Sequence, residues 1–172
     1  GCGIISEGHL VVGQRGLAGE FGHNSIDFNG LPCECGNRGC LEKYCSTLAL
    51  RNRIRNRLAV GETSKLRADA LTTEALAHAV AQEDPVACEE YDRVCDFLSI
   101  GITNLINQFN PGLIVIGDEL AEIAPDRMLK TVRARVGESV NALTSGEVTI
   151  EVNRLPGSPV LLGAAAFAAE SV

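Results

Sequence analysis

The clearest periodicity in the chain lies between positions 84 and 109. Tyr91, Val94, Cys95, Leu98, Ile102, Leu105, Ile106 and Phe109 recur at steps of three and four, which makes one helix face apolar over about six turns. Asp84 is a suitable N-cap, and Pro85 fits the first helical position, where its missing N–H costs nothing. Asn110-Pro111-Gly112 ends the pattern. "LIVIG", Leu113–Gly117, is short, apolar and β-branched, and reads as a strand of the fully buried kind.

Upstream, the apolar runs Gly3–Ser6 and His9–Val12 flank Glu7-Gly8 and predict a hairpin. Asn24–Phe28 alternates well enough for another strand. Ser46 caps a helix reaching about Leu58, "VGETSKLR" is a loop, and a second helix covers Thr73–Gln82. Beyond the long helix come a helix over Pro125–Val136, an alternating strand over Glu147–Val152, and an apolar helix opened by Ser158 and Pro159 and running to Ala169. A buried strand following a long helix in this mixture predicts an α/β fold.

The 172 residues suffice for one domain or one lobe of a larger protein. There is neither an initiator methionine nor a leader, so the expectation is a segment that begins inside a longer, cytoplasmic chain. No apolar run is long enough for a bilayer, and the net charge of −7 argues against this segment gripping a phosphate backbone. Arg51, Arg53, Arg55 and Arg57 are the exception. On a helix they spread around the cylinder as two i,i+4 pairs, which reads as a solvated face.

Seven cysteines, an odd number, fit reduced thiols better than a disulfide framework. Cys88 and Cys95 are seven apart in the long helix, about 10 Å along its axis, too far for a disulfide, and read as core residues. "CECGNRGCLE", residues 33–42, is different: three cysteines fall within eight positions of a glycine-rich loop. Cys33, Cys35 and Cys40 offer three thiolates, and His23 offers a fourth ligand, because Asn29, Gly30 and Pro32 allow the chain to turn back. His9 lies in a strand pattern and His78 in a helix. Zinc suits this sulfur and imidazole set, and four protein ligands make the site closed and structural. Unligated thiols in a loop are the bland alternative.

Such a knot would fix two carboxylates, Glu20 and Glu42, in one neighbourhood. Rigidly held acids suit neighbouring sugar hydroxyls as acceptors, although both can equally be solubilising surface residues.

"LAGEFGH" (Leu17–His23) followed by "CECGNRGCLE" resembles the ROK family of repressors and sugar kinases, and "GCGIISEGHL" resembles the second half of that family's glycine-rich phosphate motif. The likeness resumes at "GLIVIG" and "LLGAAAFA". The resemblance implies a single domain over 1–172, the C-terminal lobe of an actin-like, ribonuclease-H-like fold. It also implies zinc on His23, Cys33, Cys35 and Cys40 and sugar contacts from Glu20, His23 and Glu42, the histidine serving both. The kinase members' catalytic aspartate lies on the other lobe, so no catalytic residue is expected here. Gly1, Gly3 and Gly117 would be near nucleotide, with ATP and Mg2+, only in a kinase.

Asp118 and Glu119 follow Gly117, where a kinase needs close backbone approach. Two carboxylates there would repel phosphates by about 1 kcal/mol or more per close pair, unless Asp118 merely caps a turn. The leading expectation is therefore a sugar-sensing effector domain of a homodimeric or larger transcriptional regulator, whose DNA contacts lie in an N-terminal winged helix-turn-helix outside these residues. The C-terminal half of an ATP-dependent sugar kinase is the alternative, and a purely structural zinc lobe the third reading.

Overall fold

The computed structural model describes residues 1–139, 148–155 and 159–170. Strands β1 (Ile5–Ser6) and β2 (His9–Leu10) form the expected hairpin, shorter than the apolar runs suggested. Its turn is Glu7-Gly8, both at positive φ, the conformation a two-residue hairpin requires. A single 3-10 turn, Phe21–His23, follows, and the cysteine loop leads into helix α1 (Glu42–Cys45).

Helices α2 (Thr47–Ala59) and α3 (Thr73–Ala81) are capped by Ser46 and Thr72, whose side chains accept from Ala49 and Ala75 N–H. Helix α4 (Pro85–Phe109) is the axis of the molecule. Asp84 caps it as expected, and Asn110 closes it at φ 44° in the left-handed region. Tyr91, Val94, Cys95, Ile102 and Ile106 are buried along its apolar face.

Strand β3 (Leu113–Ile116), helices α5 (Glu119–Ile123) and α6 (Pro125–Ser139), and strand β4 (Thr149–Val152) form one crossover. The strands pair in parallel, Leu113 opposite Thr149. Helix α6 packs along α4 through Met128, Val132 and Val136, while α2 and α3 cover other sides with Leu50, Ile54, Leu76 and Val80. Tyr91 ties α4 to α5, donating to the Leu120 carbonyl at 2.9 Å. Helix α7 (Pro159–Glu170) is the expected apolar helix, and Val160, Leu161 and Phe167 are exposed along it. Its predicted opening at Ser158 and the Glu147 start of the β4 strand lie outside the described residues.

Three expectations require correction. Asn24–Phe28 forms no strand: Ser25 makes one isolated bridge to Cys40, and its hydroxyl donates to the Arg38 carbonyl, so the cysteine loop takes the pairing a sheet would have supplied. Strand β3 is not buried on both faces, since Leu113 and Val115 are more than half exposed while Ile116 is buried. Its apolar run reflects one covered face and one open one.

Three of the four arginines of α2 are not a solvated face, and only Arg55 is exposed as expected. Arg53 and Arg57 reach the buried carboxylate of Glu90 on α4, and Arg51 pairs with Glu119 on α5. Amphipathicity along α2 is carried by these ion pairs rather than by apolar residues alone.

Candidate metal centre and sugar-binding corner

Backbone hydrogen bonds fold residues 24–41 into a tight corner. Ile26 N–H donates to the Gly39 carbonyl at 2.8 Å, Cys33 N–H to Asn37 at 2.9 Å, and Leu41 N–H to Asn24 at 2.9 Å. Gly39 is obligatory: its φ is 67°, and a Cβ there would overlap the Asp27 carbonyl. Tyr44 fastens the corner to α1, its hydroxyl accepting from Leu31 N–H at 3.0 Å. Lys43 donates to Glu34 at 2.7 Å across the mouth of the loop, and this pairing holds the Glu34 carboxyl below its ordinary range.

The corner brings together the four residues singled out by their spacing. His23 Nδ1 lies 3.6 Å from Cys33 Sγ, Cys35 Sγ lies 3.6 Å from Cys40 Sγ, and all four donor atoms fall within 4.8 Å of one another. A tetrahedron built on Zn–S bonds of about 2.3 Å has edges of about 3.8 Å, so the donor set fits zinc in both chemistry and spacing. Burial, and then the neighbouring Cys33 and Cys35 sulfurs, push the Cys40 thiol up to about 12. Three sulfurs this close cannot all be thiolates unless a cation offsets their charge.

With Nδ1 turned to sulfur, the other imidazole nitrogen faces outward. Nε2 of His23 lies 3.9 Å from the Glu20 carboxylate, which is largely exposed. Glu42, at the first turn of α1, rests against Gly22, with Oε2 3.4 Å from where a Cβ on that glycine would sit. Glu20 thus borders His23, and Glu42 borders Gly22, the residue before His23. Glu42 also lines a cavity of about 920 Å³ with Arg38, Lys43, Asn52 and Arg93, and Glu20 and His23 are not among the residues lining it.

Beneath the corner, Gly101 of α4 meets Leu41 and Phe21, the residues next to Glu42 and Glu20. A Cβ on Gly101 would come within 2.5 Å of Leu41 Cδ2 and 3.2 Å of Phe21 Cε1. The sequence reading missed Gly101. The available signal was a lone glycine inside an otherwise strong helical pattern, which has a packing reason when it is kept there.

Gly1 and Gly3 line a cavity of about 320 Å³ with Leu113 and Val115, and Gly117 is not part of it. Asp118, at φ 75°, caps α5 by accepting from Glu119 N–H at 2.7 Å, and Glu119 is paired with Arg51 at 3.2 Å. Asp118 thus acts as a turn cap, and the charge of Glu119 is offset by Arg51.

The model of the ROK family matches residues 1–171. The chain belongs to the ROK family. It is 31% identical over 171 residues to a xylose repressor of Caldicellulosiruptor bescii, covering 97% of this chain and 43% of that protein. It is 38% identical over 122 residues to the transcriptional dual regulator NagC of Escherichia coli K12, covering 71% and 30%. The chain thus spans less than half the length of these ROK relatives.

Among solved structures, it superposes on a ROK family transcriptional regulator described as a homologue of the E. coli MLC protein, with TM-score 0.80 and 30% identity over 89% of this chain and 39% of that one. A ROK glucokinase from Streptomyces griseus in complex with glucose and AMPPNP gives TM-score 0.84 and 25% identity, covering 96% and 55%. The fold is therefore the α/β architecture common to ROK regulators and to actin-like sugar kinases. Among the described residues, no helix is long and apolar enough to cross a membrane.

Proposed function

We propose that residues 1–172 are the C-terminal, sugar-sensing effector domain of a ROK transcriptional regulator, with His23, Cys33, Cys35 and Cys40 holding one structural zinc. The observation that carries this reading is the two-sided placement of His23, with one ring nitrogen toward Cys33 and the other toward Glu20. The ion supplies rigidity and orients the imidazole. Glu20 and Glu42 then accept hydrogen bonds from adjacent hydroxyls of a hexose or related sugar, and His23 Nε2 completes the set. DNA contacts belong to a preceding domain of the full-length protein, which works as a homodimer or larger homo-oligomer. The sugar shifts the regulator only in so far as it binds one arrangement of the protein more tightly than the other.

The sequence relatives favour the regulator, since those compared above are named repressor or transcriptional regulator. The second reading, one half of an ATP-dependent sugar kinase using Mg2+, is supported by the likeness to the S. griseus glucokinase and by the internal pairing of Asp118 and Glu119. Calorimetry on the full-length protein separates them. For the regulator, glucose, xylose or N-acetylglucosamine binds without ATP–Mg2+ binding, and Glu42→Gln weakens the sugar by about tenfold or more, the worth of one charged hydrogen bond, with zinc content unchanged. Unchanged sugar affinity in Glu42→Gln would remove the sugar corner, and micromolar ATP binding would favour the kinase.

A further inference from the structure

The four donors of the cluster are not equivalent. Cys33 and Cys40 are buried, whereas Cys35 is exposed. Cys35 Sγ lies 3.6 Å from Cys40 Sγ and Cys33 Sγ lies 3.6 Å from His23 Nδ1, and the Cys33 sulfur also borders both other sulfurs, so what sets Cys35 apart is its exposure. Gly36 directly follows Cys35, and Gly39 directly precedes Cys40. Both hold positive φ, and nothing lies within 4 Å of a Cβ placed on Gly36. The exposed end of the loop therefore has room to rotate, while the Gly39 end is locked under Asp27.

We propose that Cys35 and Cys40 are an oxidant-sensitive dithiol, which hydrogen peroxide converts to a disulfide and so dismantles the metal site. The Cys35 sulfur attacks the peroxide O–O bond and becomes a sulfenic acid, and the other oxygen leaves as water. The Cys40 sulfur then attacks the Cys35 sulfur, the S–S bond forms, the S–O bond breaks, and a second water departs. The two sulfurs lose two electrons and the peroxide gains them; two of the four water protons come from the peroxide, and the other two from the thiols of a metal-free loop or, where zinc holds both sulfurs as thiolates, from solvent as the ion leaves.

Closing the S–S bond to about 2 Å asks the sulfurs to approach by about 1.6 Å, a shift the open Gly36 side can supply. Only His23 and Cys33 then remain as ligands, too few for a structural zinc. His23 would lose its anchor as well, so oxidation would uncouple the sugar corner. That last consequence, like zinc itself, rests on the function proposed above. The remaining four cysteines differ in setting: Cys88 and Cys95 are buried, and burial pushes the Cys2 and Cys88 thiols up, Cys45 up to about 11 and Cys95 up to about 12, which makes them slow internal references.

The test uses the full-length protein carrying zinc, treated with hydrogen peroxide and followed by a metallochromic dye, with alkylation and peptide mass spectrometry in parallel. The expected result is zinc release in step with loss of two hydrogens from the peptide holding Cys35 and Cys40, with Cys45, Cys88 and Cys95 still alkylatable after denaturation. Thiol reductant plus zinc should restore the starting state. In Cys35→Ser at matched zinc loading, release should slow by about tenfold, because the exposed nucleophile is gone. Retention of zinc with both thiols still alkylatable, or release accompanied by oxidation of Cys33 instead, would overturn the proposal. A Cys35–Cys40 link in protein that takes up no zinc would support the dithiol and separately overturn the metal reading, and intact oxidation chemistry without any sugar affinity would remove only the sugar corner.

Discussion

Arg53 Nε donates to Glu90 Oε2 at 2.8 Å across the seam between α2 and α4, and the same guanidinium donates through Nη1 to the Tyr44 carbonyl at 3.0 Å. The Glu90 side chain is only 3% exposed, so this pair joins the helix that begins at Glu42 to a charge within the core. In Arg53→Met, Glu90 would be left with Arg57 at 3.3 Å and Arg93 at 3.7 Å, and α1 would lose its tether. The expected cost is about 1.5–3 kcal/mol, the worth of a hydrogen bond to a charged group, read as a lowered urea midpoint, with part of it regained in the double variant Arg53→Met/Glu90→Leu because the buried, less fully paired carboxylate is then gone. An unchanged midpoint in the single variant would contradict this.

Gly101→Ala sets two effects against each other. Alanine in a helix interior gains about 1 kcal/mol over glycine, whereas overpacking costs about 1–3 kcal/mol. Here the added methyl meets the Leu41 and Phe21 side chains, and Leu41 is 3% exposed with little room to move. The clash should win, lowering the thermal midpoint and loosening the corner that carries Glu20, His23 and Glu42. A stabilised Gly101→Ala protein would show that Leu41 repacks freely.

Asp84 gives a stability change with pH. Burial alone would push its carboxyl up, but donors from Lys65 N–H, Ala87 N–H and the Ser64 hydroxyl outweigh this and hold it below the ordinary value. A depressed carboxyl stabilises the folded chain above its unfolded value of about 4 and loses that contribution as pH falls through the folded value. The advantage of the native protein over Asp84→Asn should therefore be constant from pH 7 down to about 4 and shrink below it. Urea titrations at pH 7, 5 and 3 read this directly, and an advantage that grew on acidification would reverse the assigned sign.

Local signals were legible where they also decided the outcome. Asp84-Pro85 and the three- and four-residue apolar steps specified α4, and the spacing of His23, Cys33, Cys35 and Cys40 specified a cluster that the chain does assemble. What was illegible depended on partners far along the chain. Arg53 and Arg57 read as solvated because Glu90 lies 37 and 33 positions away. Asn24–Phe28 had a strand's alternation without a strand to pair with, and Val115 had a buried residue's chemistry on an open sheet face. Asp118 read as a charge facing a ligand, yet its nearest donor was the next backbone N–H, which made it a cap.

The metal centre carries the rest of the account, and X-ray absorption at the zinc edge on full-length protein purified without chelator tests it most directly. The expected spectrum corresponds to one zinc per chain with three sulfur neighbours near 2.3 Å and one nitrogen at about 2.0–2.1 Å, reduced to sulfur-only protein ligation in His23→Ala. Protein without stoichiometric zinc, or zinc coordinated without any imidazole, would contradict it.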